Sequence, residues 1–317
     1  MDTDLVNGTE LVDQKAFAYS YNMVTYGNED PRRGLERIAS AGYERVELSG
    51  DPLDISPQQI REATDGLGLQ VSSISSLLGS DRDLCHSDPD IRRNGYDYLL
   101  GLIEMAAIVK SPIVNVHPSA VNRTHLLSSA EQEWEWSIQG FSKLAKAADG
   151  TCRLAVEPWN RYETHLVNTL AEATALVEAI DHPSMCVMAD TFHMGIEESD
   201  PIEALRLAAP LLGHVHFADN TRAAPGTGTI NFAPYVETLI NIDYRGTVTF
   251  ELFPAKARPL ESVLSGDAPE FFDPYTRASL THLRTVEHQV RGRLQLAATA
   301  GGASDGNLRT DGNHDHD

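Results

Sequence analysis

The stretch Cys186–Asn220, CVMADTFHMGIEESDPIEALRLAAPLLGHVHFADN, constrains the fold more than any other. It carries two short apolar strands, Cys186–Ala189 and His214–Phe217, joined by one amphipathic helix. The helix is marked by Asp200 at the N-cap, Pro201 at the first helical position, Glu203 three residues after the cap, and Gly213 at the close. Ile202, Leu205, Ala209 and Leu212 recur at helical spacing, so one face is expected to be buried. The strands end in Asp190 and His216, both residue types that bind metals. Strand, polar end, covering helix and second strand make one unit of a parallel α/β fold.

The rest of the chain repeats this unit. Strands are predicted at Ala16–Tyr21, Arg45–Leu48, Gln70–Ser75, Ile113–His117, Arg153–Val156 and Thr247–Glu251, besides the two above. Helices are predicted at Pro31–Ala41, Pro57–Leu67, Ile91–Val109, Ala130–Ala148, from Thr169 to Ile180, from Pro201, and at Ala233–Ile240 and Pro274–Val290. Eight such pairs over roughly 275 residues match a (β/α)8 TIM barrel, which typically takes about 250. A doubly wound open sheet would carry a glycine-rich phosphate turn after its first strand, where this chain reads SYNMVTYGNED. The barrel is expected over residues 15–292, with a loosely held segment at 1–14 and a disordered tail at 293–317, which is small, polar and without periodicity.

Composition narrows the partners. A net charge of −21 over 317 residues argues against nucleic acid, whose phosphates call for clustered Lys and Arg. No apolar run approaches the ~20 residues that cross a bilayer. The acidic start MDTDLVNGTELVDQK lacks a secretory pattern, so a cytoplasmic location is expected. Cys85, Cys152 and Cys186 are too few and scattered for a disulfide framework, and no CxxC suggests structural zinc.

In a barrel the C-terminal strand ends face one pocket. Four consecutive ends carry Glu157, Asp190, His216 and Glu251, separated by 33, 26 and 35 residues, about one strand–helix unit each. Three carboxylates with one imidazole form a hard, oxygen-rich site that a divalent cation would neutralise; without one, the carboxylates would raise each other's pKa. Such ligands suit Mn²⁺, Co²⁺ or Mg²⁺ better than structural zinc. Salt bridges at the barrel mouth are the alternative reading of each residue taken singly.

The segments EPWNRYETHLVNT from Glu157, DTFHM from Asp190 and HVHFADNTR from His214 resemble the xylose-isomerase-like sugar isomerases and epimerases, most of all the ketose 3-epimerases of the tagatose/psicose type. The resemblance covers about residues 16–290. It implies one divalent ion, with Mn²⁺ expected, held by Glu157, Asp190, His216 and Glu251. It also implies that Glu157 and Glu251 double as the acid/base pair, and that Glu163, His193 and Arg222 contact the substrate's oxygens. A homodimer or homotetramer is a further implication.

The chemistry is intelligible from the residues themselves. Epimerisation beside a ketone removes a proton from one face and returns one to the other, so two carboxylates flank the sugar while a metal stabilises the enediolate. His193, just past its strand end, and Arg222, on the following loop, can donate to sugar oxygens, and Glu163 could orient a hydroxyl. Glu163 could instead simply pair with Arg161. His117, ending its strand in VNVHP, could line the same pocket or be packed; Glu47 could touch the far end of a substrate, and Tyr19 and Trp159 could offer apolar faces to it. Pro225-Gly-Thr-Gly228 reads as a turn beside the metal. The proline- and charge-rich stretch 254–274 departs from the resembled enzymes and reads as a lid or docking loop.

Two other functions share these residues. Related barrels are lyases that dehydrate keto-inositols or, with a small β-rich partner subunit, cleave 3-keto-C-glycosides. An abasic-site DNA nuclease of the same barrel would need more histidines and a basic face.

Overall fold

A computed structural model describes residues 17–305 except 51–54, 255, 257 and 266–268. Eight strands alternate with helices: β1 Ala18–Asn22, β2 Arg45–Ser49, β3 Gln70–Ser75, β4 Ile113–Val116, β5 Arg153–Val156, β6 Met185–Asp190, β7 Leu212–Phe217 and β8 Thr247–Phe250. Each pairs in parallel with the next, and β1 closes onto β8 through Ala18↔Thr247 to Tyr21↔Phe250. The predicted (β/α)8 barrel is therefore the observed one.

The helices are α1 Pro31–Ser40, α2 Pro57–Leu67, α3 Pro89–Val109, α4 Ala130–Ala148, α5 Leu170–Ile180, α6 Thr191–Glu197, α7 Pro201–Ala208, α8 Ala233–Asn241, α9 Pro259–Leu264 and α10 Phe272–Asp305. Their starts follow local chemistry. Ser56 with Gln59 and Thr169 with Glu172 close reciprocal capping boxes on α2 and α5, while Asp200 caps α7 through Glu203 N.

The strands divide their side chains between two environments. Val46, Leu48, Val114, Val187, Val215 and Phe250 belong to the main apolar core, which also takes in buried faces of the helices. A separate small cluster of Ile113, Ala155, Cys186 and Met188 is also fully packed, and a layer of buried polar side chains including Ser20, Asn22, Glu47, Ser73, Asn115 and His214 hydrogen-bonds across the barrel. That polar layer stands where a TIM barrel commonly packs branched apolar residues, and the candidate site is built upon it.

Several elements differ from the sequence reading, most by one or two residues at an end. Gly213 lies within β7 rather than closing the preceding helix; a Cβ there would sit 2.4 Å from Cys186 Sγ, so glycine is needed for close packing. An extra helix, α6, follows β6 directly, capped by Asp190 accepting from Phe192 N at 2.7 Å. The helix expected to stop at Val290 continues to Asp305: Leu294, Gln295, Leu296, Ala297 and Ala298 favour helix, and Leu294 packs against the core. Residues 1–14 and 306–317, where loose ends were expected, lie outside the described residues, as do 15 and 16, where the barrel was expected to begin.

Candidate metal centre and catalytic face

Glu157 follows β5, Asp190 ends β6, His216 lies in β7, and Glu251 follows β8. The register Asp190↔His216 and the parallel pairing of neighbouring strands bring these ends to one level. One ligand atom from each residue lies within 4.8 Å of all the others. From His216 Nδ1 the distances are 3.9 Å to Glu157 Oε1, 3.8 Å to Asp190 Oδ2 and 3.9 Å to Glu251 Oε2. Three of these atoms, Glu157 Oε1, Asp190 Oδ2 and His216 Nδ1, are buried without a hydrogen-bond partner. Orphaned buried acceptors are costly, and three converging on one point are the arrangement a cation would satisfy.

Glu47 explains how the imidazole presents itself. His216 Nε2 lies 2.9 Å from Glu47 Oε1, so Nε2 donates there and Nδ1 is the ring atom turned toward the carboxylates. Glu47 also receives Asn115 Nδ2 at 2.9 Å, Asn22 Nδ2 at 2.6 Å and His214 Nε2 at 2.8 Å, besides Ser73 Oγ. The expectation that Glu47 touches substrate is thus corrected: it is wholly buried below the site. Asn22 ties the layers together, since its amide also donates to Glu251 Oε1 at 2.9 Å.

The electrostatics match a site built around missing positive charge. Burial, with Glu251 and Asp190 nearby, pushes Glu157 well above the usual carboxylate range. Burial also raises Asp190 to about 6, although His216 and Arg222 oppose it. Burial would lower His216, yet Glu47 and the other carboxylates outweigh it and raise the imidazole to about 10. Without a cation the cluster therefore retains protons, which a divalent ion would displace.

The substrate side is assembled by loops. Arg222 Nη2 donates to Glu251 Oε2 at 3.0 Å and Nη1 to Glu163 Oε1 at 3.1 Å. Its guanidinium lies between the rings of Phe192 at 4.9 Å and Phe253 at 4.4 Å. Glu163 pairs with Arg222 rather than with Arg161, which binds Glu197 at 2.7 Å instead. Asp219 holds the loop that carries Arg222: its carboxylate accepts from the backbone N–H of Asn220, Gly226, Gly228 and Ile230 at 2.9–3.0 Å. The glycine-rich stretch is accordingly a turn wrapped around Asp219.

His193 Nδ1 accepts from the Asn160 backbone N at 3.1 Å and side-chain amide at 2.9 Å, which puts the ring proton on Nε2. Nε2 is buried, unpartnered and 4.0 Å from Glu157 Oε1, a donor directed into the site. Burial, then Arg222, holds this ring well below its usual pKa, so it is neutral. His117 stands one layer back. Its Nδ1 is 2.6 Å from Ser119 O and its ring lies 3.9 Å from Trp159, which itself lines the cleft where His117 does not. His117 thus packs behind Trp159 and is not among the side chains that line the cleft. Tyr19 is likewise packing, stacked on Phe250 and bonded to Glu287 of α10 at 2.8 Å.

Glu157, Trp159, Glu163, Arg222 and Glu251 face a cleft of about 970 Å³ including its solvent-filled mouth. A second cluster, Cys85, Glu133 and His165, has metal-binding residue types, but Arg123 fills it, donating to Glu133 Oε2 at 2.8 Å. Among the described residues no helix is long and apolar enough to cross a membrane. Asn160, Asp219 and the layer around Glu47 went unseen in the sequence, because their roles depend on loop closure and on contacts across the barrel.

Comparison with known proteins agrees with this geometry. Residues 35–272 match the family described as the xylose isomerase-like TIM barrel. A D-psicose 3-epimerase from Ruminiclostridium cellulolyticum is 29% identical over 69% of this chain and 77% of its own length. A 3-dehydro-D-guloside 4-epimerase from Escherichia coli is 30% identical over 70% of this chain and 87% of its own. The crystal structure of D-psicose 3-epimerase with D-tagatose from Clostridium cellulolyticum H10 superposes with a TM-score of 0.76 at 25% identity, covering 85% of this chain and 99% of that one. The chain belongs to the xylose isomerase-like TIM barrel family, and within it stands beside sugar epimerases.

Proposed function

We propose that this chain is a divalent-metal-dependent epimerase of a ketose or keto-sugar, with Glu157 and Glu251 as its acid/base pair. The observation that carries the reading is the convergence of the unpartnered Glu157 Oε1, Asp190 Oδ2 and His216 Nδ1 with Glu251 Oε2. Glu157, Asp190, His216 and Glu251 would hold one ion, and their oxygen-rich set favours Mn²⁺, with Co²⁺ or Mg²⁺ as substitutes. When bound, the ion supplies electrostatic stabilisation of the negative charge that develops on the sugar's oxygens.

The remaining work falls to side chains of this chain. Glu251, which accepts from Asn22 and Arg222 on its two oxygens, serves as a carboxylate that takes a proton from the carbon beside the ketone. Glu157, the second carboxyl at the cleft, returns one to the opposite face. His193 Nε2–H and Arg222 orient sugar oxygens, and Glu163 binds a hydroxyl while holding Arg222 in place. Trp159 walls the cleft beside them.

The test is solvent exchange. In D₂O with added Mn²⁺, ketoses and keto-glycosides are screened by NMR for deuterium entering at the carbon next to the carbonyl. Exchange with inversion supports the reading; deuterium appearing instead with loss of a leaving group would make the enzyme a lyase. Exchange undiminished in Glu251→Gln would remove Glu251 from the mechanism.

A further inference from the structure

We infer that Trp159 binds substrate through its indole N–H, which stands beside His193 Nε2–H as a second neutral donor for a sugar oxygen on the Glu157 side of the cleft. This inference rests on the proposed function and adds a residue to its binding machinery. Trp159 lines the cleft at 7% exposure, yet its Nε1 is buried and has no hydrogen-bond partner. His193 Nε2 is in the same condition, and the two rings lie nearly parallel, 9° apart with centroids at 5.9 Å. Both N–H groups bear on Glu157. His193 Nε2 is 4.0 Å from its Oε1. Burial raises the Glu157 carboxyl, and the Trp159 N–H is among the groups that oppose the rise. The two donors therefore address the same part of the cleft.

The indole is held where it stands. The His117 ring lies 3.9 Å from it, the Trp159 backbone N–H donates to Val167 O at 3.2 Å, and the Trp159 carbonyl accepts from Asn168 Nδ2 at 2.6 Å. Val167 is a buried β-branched residue kept at a φ of +64°, a costly conformation that persists only where the surroundings impose it. A cation at Glu157 Oε1 would satisfy that oxygen, but it cannot accept a hydrogen bond, so both N–H groups stay orphaned in the loaded site. Buried donors without acceptors are costly, and the acceptor missing here has to enter through the cleft. A sugar oxygen supplies it, whereas an apolar face laid on the indole would leave the N–H unpaired. Arg222 is already engaged with Glu251 and Glu163, so the two ring donors complete the polar seat beside Glu157.

The experiment loads the full chain, labelled with ¹⁵N-tryptophan, with Mg²⁺ as a diamagnetic ion and titrates it with glycolohydroxamate, a planar enediolate analogue. The chain has three tryptophans, and on binding the indole N–H signal of Trp159 should move downfield while those of Trp134 and Trp136 stay in place. Trp159→Phe keeps an aromatic ring against His117 and removes only the donor. It should weaken analogue binding by about tenfold or more, the usual loss for a hydrogen bond to a charged oxygen, with Mn²⁺ affinity unchanged. A Trp159 signal that stays in place, or analogue affinity unchanged in Trp159→Phe, overturns the inference and leaves the epimerase reading standing. Mn²⁺ binding weakened as much as analogue binding overturns it as well, because the N–H then serves Glu157. Failure of the analogue to bind the Mg²⁺-loaded chain removes the enediolate site and this inference with it. If Trp159→Phe does not fold, assignment through Trp134→Phe and Trp136→Phe leaves the indole shift as the deciding result.

Discussion

His216 Nε2 and Glu47 Oε1 lie 2.9 Å apart beneath the candidate metal centre, and this contact fixes the ring so that His216 Nδ1 faces three carboxylates. Glu47 thereby acts on the metal site without touching the cleft. Replacing it by Gln keeps the shape but allows the amide to face His216 with the wrong group. Glu47→Gln should weaken Mn²⁺ binding about 10–100-fold, as outer-shell changes typically do. Isothermal titration on the folded variant checks this; unchanged affinity would mean that the ring orientation is held by something else.

Glu251→Gln should cut exchange at the carbon beside the ketone by about 10²–10⁴-fold, the usual span for a lost general base. Because Glu251 also accepts from Arg222 and Asn22, circular dichroism and thermal melting should accompany the kinetics to show that the barrel persists.

Asp219→Ala should free four backbone N–H groups and loosen the loop that carries Arg222. Each lost hydrogen bond to a charged group contributes about 1.5–3 kcal/mol, with the effects not additive. A fall in melting temperature together with a raised KM is the expected result, and hydrogen exchange at Gly226, Gly228 and Ile230 should quicken. Asp219→Glu, which keeps the charge, should recover part of the loss.

Acid should destabilise the fold through a cluster remote from the metal. Burial alone would raise Asp83 and Glu133, but hydrogen bonds and charge from Arg123 pull both below the usual carboxylate range. A depressed folded pKa means that the stabilisation is present above the unfolded values near 4 and is lost as pH falls through the folded ones. Melting temperature should drop steeply below about pH 4, and Arg123→Met should flatten that dependence while lowering stability at neutral pH.

The sequence revealed the barrel because each unit bears its own marks: capping residues such as Ser56 and Thr169, proline at first helical turns, and apolar runs of strand length. It pointed to the cluster of Glu157, Asp190, His216 and Glu251 for a related reason, since residues at consecutive strand ends must converge once a barrel closes. Glu47 was misread because its partners His214 and His216 come from β7, across the barrel and far along the chain. His117 was left between lining and packing because its strand end points to the catalytic face, while the sequence does not show that Trp159 stands between it and the cleft. The extension of the last helix past Arg293 was not legible because the small alanines there lack an amphipathic period, although alanine favours helix without one. The α9 segment escaped as a helix because six residues between prolines and charges show no period at all.

The central claim is one divalent cation bound by Glu157, Asp190, His216 and Glu251. Its most direct test is titration of chelator-treated protein with Mn²⁺, counting free ion by electron paramagnetic resonance. The account predicts one tight site per chain that disappears in Asp190→Ala while the protein remains folded; absence of tight binding, or binding unchanged in that variant, would contradict it.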